Sequence, residues 1–156
     1  MRDFRSAISL RGKSLQWRGL VSTMARIVLG AVFIYAGIRK VGDPLAFADS
    51  IASFKIVPNG LVSFLSLGLP PFEIICGSLL VLGLWLRVAA LGTLIAIAVF
   101  TVALIAALSR GLIVDCGCFG SGMASITRMR LDLFRDTLLV GIAAVVYADS
   151  WKENRW

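Results

Sequence analysis

The chain has 156 residues, 58% of them hydrophobic, and a mean hydropathy of +0.88, which is too apolar for a water-soluble domain of this length. The 16 Lys and Arg outnumber the 9 Asp and Glu, and there is no histidine, which excludes His-ligated zinc chemistry, Ser-His-Asp triads and Cys-His nucleophile pairs. No basic stripe interleaved with aromatics is present, so the net charge of +7 reads as charge at a membrane face and excludes nucleic acid as a partner.

Residues 1–19 carry Arg2, Arg5, Arg11, Lys13 and Arg18. This resembles the basic start of a signal peptide, but no A-x-A-like cleavage site follows and the next apolar run has the length of a span. The segment is therefore expected to be retained as a cytoplasmic basic segment. Leu20–Ile38 reads as the first span, with Gly30 and Gly37 inside it and only Arg26 charged, near one end, where its head group can extend to the interface. Arg39, Lys40 and Asp43-Pro44 follow as the exit of that span, where basic groups suit a helix C-terminus.

The second span is expected over 61–86, interrupted at Pro70-Pro71. Two adjacent prolines remove two backbone donors, which predicts a kink, or a short helix over 61–69 with the main span restarting at Pro71. Val88–Ser109 is the clearest span, 22 residues without a charge, which meets the requirement of about 20 apolar residues. Lipid leaves no partner for an open strand, so each span is a helix. Leu131–Ala148 is the fourth, with Asp132, Arg135 and Asp136 in its first two turns near one membrane face. Asp132 and Asp136 share a helical face, and Arg135 is placed to pair with Asp132. Residues 151–156 form a tail. The expected architecture is an all-α membrane protein, a single four-transmembrane-helix bundle without repeats or a second domain.

With the N-terminus inside, Arg2, Arg5, Arg11, Lys13, Arg18, Arg87, Lys152 and Arg155 are cytoplasmic, and Arg39, Lys40, Lys55, Arg110, Arg128 and Arg130 are outside. Eight against six favours this orientation, with extra weight on the first helix. Both termini are then cytoplasmic and the loop after the third span faces outward.

That loop contains Cys116-Gly117-Cys118. Outside the membrane disulfides form and persist, so the placement favours redox over metal binding. A disulfide closed across one residue is a small strained ring, and Gly117, Gly120 and Gly122 supply the backbone freedom it needs. Such a bond is oxidising and suits thiol exchange. A plain structural bridge or two idle thiols is the other account.

Glu73 and Cys76 stand three residues apart and are expected on one helical face. If Pro71 begins the main span at the outer surface, both lie in its first turns, on the side of Cys116 and Cys118. Glu73 admits two readings, a proton acceptor for thiol or quinol chemistry or a charge favouring a helix N-terminus. Cys76 reads first as a small core residue. Its alternative is a third sulfur, a cofactor-binding side chain that relays electrons to quinone or completes a metal site. Two further hypotheses belong to other classes. One is a soft-metal carrier binding Cu(I) or Hg(II) through Cys116, Cys118 and Cys76. The other is a noncatalytic assembly subunit, in which Gly30, Gly37, Gly77 and Gly92 allow close helix packing.

Several segments taken together resemble the MauE branch of the MauE/DoxX membrane proteins: Ala36-Gly37-Ile38-Arg39-Lys40-Val41-Gly42-Asp43-Pro44, Phe47-Ala48-Asp49-Ser50-Ile51, Leu69-Pro70-Pro71-Phe72-Glu73, Asp115-Cys116-Gly117-Cys118-Phe119-Gly120 and Arg135-Asp136. The resemblance covers about residues 20–150. It implies a four-helix bundle similar in architecture to the vitamin K epoxide reductase and DsbB group, in a bacterial inner membrane. Cys116 and Cys118 then take the redox-pair role and Glu73 that of an acid early in the second helix. It also implies an extracytoplasmic thioredoxin-like or disulfide-containing partner, since MauE is associated with maturing the disulfide-rich small subunit of methylamine dehydrogenase. Membrane quinone would be the electron acceptor. The chain departs from the DsbB pattern in having one thiol pair plus Cys76 where those enzymes use two pairs.

Overall fold

The computed structural model describes residues 2–114 and 125–153. Among the described residues the chain is all-helical: α1 Arg2–Gly42, α2 Pro44–Ser53, α3 Asn59–Leu82, α4 Leu86–Ser109 and α5 Ile126–Glu153. Three of them contain stretches long and apolar enough to cross a membrane, Gly19–Gly42, Gly60–Leu82 and Leu86–Ser109. Helix α5 has 28 residues and the necessary length, but its composition keeps it outside that group.

Each helix boundary has a local cause. Asp43 caps α2 by accepting the Ala46 amide at 3.1 Å, with Pro44 in the first turn, where a missing N–H costs nothing. Helix α3 ends at Gly83 in the left-handed region (φ 75°), and the Leu84 amide donates back to the Leu79 carbonyl at 3.0 Å. Helix α4 ends in the same way, with Gly111 at φ 69° and the Leu112 amide on the Ala107 carbonyl at 3.0 Å. Ser125 accepts the Arg128 amide at 3.2 Å and caps α5.

Three features depart from the expectations. The basic N-terminal segment is continuous with α1 and forms one 41-residue helix with the first span. Helix α3 does not restart at Pro71; both prolines lie inside one continuous helix. The exit of the first span contains a helix of its own, α2, whose Phe47 and Ile51 pack on Val62 of α3.

Helices α1 and α3 run antiparallel at very close approach. A Cβ built on Gly30 would lie 2.6 Å from the Gly77 carbonyl oxygen, and one on Gly77 would lie 2.7 Å from that of Gly30. At Gly37 it would meet Ile74 Cγ1 at 2.6 Å and the Pro70 carbonyl at 2.9 Å. Only glycine permits this backbone contact, so the small-residue packing expected from sequence is present. Leu29, Phe33, Leu80, Ala89, Ala90, Ile97, Ala143 and Val146 fill the interior at that half of the bundle.

The outer surface is largely apolar, with Leu45, Phe64 and Trp85 each more than three-quarters exposed. In lipid this is the favourable arrangement. Trp17, Trp85 and Trp151 are all exposed at the end where α3 leads into α4, as in an interfacial aromatic belt. Arg87 lies there too, its guanidinium on the Ser150 and Trp151 carbonyls at 3.4 and 3.5 Å and 4.8 Å from the Trp151 ring centre. A cation at the carbonyl end of α5 is favourable.

Candidate functional site

The buried faces of the helices follow from their spacing. On α1 the buried positions include Leu29, Phe33, Ala36 and Lys40; on α3 Val62, Ser66, Glu73, Cys76 and Leu80; on α5 Met129, Asp136, Ala143 and Ser150. Each stripe carries one charged residue, and the three converge.

Lys40 is 1% exposed and Glu73 4%. The Lys40 ammonium forms an ion pair and hydrogen bond with Glu73 Oε1, and it sits 4.9 Å from the Phe47 ring centre and 4.7 Å from that of Phe100. Phe47 comes from α2 and Phe100 from α4, so two cation–π contacts and one salt bridge enclose the charge. An unpaired ammonium at this depth would be very costly; its pairing makes it tolerable. Lys40 stands in the last turn of α1, at the exit of the first span as expected, but it faces the interior of the bundle and not an outer loop. The signal lies in its spacing, since Lys40 falls seven residues after Phe33 and four after Ala36 on the buried stripe.

Glu73 lies 14 residues into α3, about 21 Å along the helix at 1.5 Å per residue. It is level with the last turn of α1, while the earlier turns of α3 continue past that point under α2. This replaces the expected position in the first turns of a helix starting at Pro71. The second carboxylate oxygen, Oε2, is buried with no hydrogen-bond donor in reach among the described residues.

Across from it, Arg135 holds Asp132 at 3.1 Å and Asp136 at 3.0 Å. The expected Asp132–Arg135 pair is present, and Arg135 also reaches Asp136. A crevice of about 40 Å³ lies between the helices, lined by Val32, Ala36, Glu73, Phe100, Arg135 and Asp136 among others. Glu73 and Asp136 thus face one small space from α3 and α5. Asp136 is 8% exposed and faces the interior of the bundle.

Cys76 is a buried free thiol. It faces α4, where a Cβ on Gly92 would come within 3.2 Å of its Sγ, and it lines an apolar groove of about 580 Å³ with Leu65, Leu69, Phe72, Leu91 and Phe100. Glu73 and Cys76 are both buried, as their spacing predicts, but they line different spaces. Phe100 borders both the groove and the charged crevice, and it stands between them.

Cys116 and Cys118 lie outside the described residues. The roots of their loop are described: Val114 is buried with Phe54, Leu104, Ala107 and Met129, and Ser125 begins the turn into α5. Helix α2 links the two regions, because its Phe47 covers Lys40 and the Phe54 that follows it belongs to the same buried cluster as Val114. Among the described residues no group of three or more Cys, Asp and Glu is placed to hold a metal ion.

A family model described as "Methylamine utilisation protein MauE" matches residues 18–149. The chain belongs to the MauE family. No curated protein and no solved structure matches it. With three apolar helices of spanning length, this MauE family member is a membrane protein.

Proposed function

We propose that this MauE family protein is a thiol–disulfide redox protein of the bacterial inner membrane, and that it exchanges electrons between an outward-facing Cys116–Cys118 disulfide and an extracytoplasmic thiol protein. In this reading α5 is the fourth span, both termini are cytoplasmic, and the architecture is similar to that of the vitamin K epoxide reductase and DsbB group. The family description, methylamine utilisation, makes a disulfide-containing protein of that system the natural partner.

The observation that carries the reading is the link through α2, which joins the root of the Cys116–Cys118 loop to the buried Lys40–Glu73 pair. A redox loop releases and takes up protons, and an ionisable group held inside a spanning helix is suited to handle them. A thiolate of the partner attacks one sulfur of the pair, the other sulfur leaves as a thiolate, and a mixed disulfide forms. The partner's second thiolate then displaces the remaining bond, so the partner leaves oxidised and the pair holds two electrons. Glu73 takes the acid–base role.

Membrane quinone is the acceptor that would reoxidise the pair. The groove beside Cys76 is suited to an apolar isoprenoid tail, being walled by Leu65, Leu69, Phe72, Leu91 and Phe100. To the head group it offers only the Cys76 thiol as a side-chain donor, and in that sense Cys76 is the cofactor-side residue.

Cys116→Ser and Cys118→Ser should each abolish dithiol oxidation in proteoliposomes containing quinone while the protein still inserts. Retention of full activity by both variants would remove the pair from the mechanism. Membrane-impermeant thiol labelling of spheroplasts should reach an introduced cysteine at position 115 and not one at 154, and the reverse pattern would overturn the orientation.

A further inference from the structure

The described interior contains two buried carboxyl groups that face one crevice from different helices. Glu73 uses Oε1 for Lys40 and leaves Oε2 buried with no donor among the described residues. Asp136, from α5, is held on one side by Arg135. The space they line measures about 40 Å³, and a water needs about 10–15 Å³ of such volume together with two or more polar partners. Among the described residues that line it, Glu73, Asp136 and Arg135 are the polar ones, and a water there would draw its partners from them.

We propose that this crevice is a water-bridged proton-exchange site, in which Glu73 and Asp136 share a proton across the gap between α3 and α5. In the exchange step the O–H bond of one carboxyl breaks as its proton passes to the bridging water. A proton of that water passes to the other carboxylate, so the water is regenerated and no net charge is created. This coupling is independent of the thiol chemistry and holds whether or not Cys116 and Cys118 are the redox centre.

The surroundings favour a proton over a metal cation. Lys40 faces the site from α1, and Arg135 faces it from α5, with Asp132 on the outer side of Arg135. Helices α2 and α4 contribute Phe47 and Phe100, which carry no charge. Lys40 and Arg135 already occupy cation positions on these carboxyls, so a sodium ion would be repelled at short range; with Asp132 counted, three carboxyls face two cations, and a single proton removes the excess negative charge. Ala36 and Val32 close the α1 side of the crevice with small side chains.

The test is infrared titration of the full-length protein in nanodiscs, following the protonated-carboxyl band that Glu73→Gln removes. Asp136→Asn should displace the pH midpoint of that band by about one unit or more, the signature of two interacting sites. Ala36→Val keeps both carboxyls and fills the crevice; it should change the band frequency and its shift on transfer to D₂O. This variant also serves if Asp136→Asn is not recovered folded. A Glu73 band with the same midpoint and frequency in both variants would overturn the proposal. Displacement of the band by sodium, and not by choline at equal ionic strength, would overturn it in favour of a cation site.

Discussion

Both halves of the α1–α3 contact hold a close glycine approach, Gly30 on Gly77 in one and Gly37 on Pro70 in the other, but they bury different groups. Toward the tryptophan-bearing end, Gly30 and Gly77 bring the backbones together and the neighbours are Leu29, Phe33 and Leu80. Toward the α2 end, the same pair of helices buries Lys40 against Glu73 beneath Phe47 and Phe100. The first half gains from dispersion and close approach, which lipid cannot supply as well. The second half places charge where a Leu–Leu contact would suffice for packing, and a buried ion pair is weak evidence for stability. Close glycine contact is thus enough to fix the helices, and the buried charges are what packing alone leaves unexplained.

The largest expected effect lies in the charged half. Lys40→Met leaves the Glu73 carboxylate without its cation and should destabilise the bundle by about 3–5 kcal/mol, whereas Lys40→Met combined with Glu73→Leu should recover most of that loss. Steric trapping or denaturant unfolding in mixed micelles reads both. If the double variant is as unstable as the single one, the pair holds the fold and the contrast between the halves disappears.

A smaller effect sharpens the glycine half. Gly30→Ala forces a methyl group to within 2.6 Å of the Gly77 carbonyl, and overpacking of this kind costs about 1–3 kcal/mol. A methyl group at Gly141, on α5, would meet nothing within 4 Å, so Gly141→Ala should stay within about 0.5 kcal/mol of the wild type. Equal melting temperatures for the two variants in the same detergent would contradict the close-packed α1–α3 contact.

The glycine half is legible in the sequence and the charged half is not, for a physical reason. Gly30, Gly37 and Gly77 announce close approach within single apolar runs, and the uncharged run Val88–Ser109 requires a helix whatever surrounds it. Lys40 and Glu73 are 33 residues apart, and nothing local tells a basic residue at a helix end whether it meets water or a carboxylate. The helical spacing that puts Lys40, Glu73 and Asp136 on buried stripes is present in the sequence, but interfacial placement of charges is the stronger prior. Asp43-Pro44 carries a clear helix-start signal that its position directly after an apolar run disguises as a mere exit from the first span. Pro70-Pro71 announces an interruption, yet α3 continues through them, as is tolerated where neighbouring helices stabilise a membrane helix.

The proposed redox couple, Cys116 and Cys118, is read directly by an equilibrium titration. The purified protein is equilibrated across a series of thiol–disulfide buffers, quenched, denatured and mass-tagged at free thiols. One tag, on Cys76, should be present throughout, and two more should appear together in a single two-electron transition, at a potential above the roughly −300 mV typical of inert structural disulfides. Three tags at every potential, or two that appear in separate steps, would contradict it.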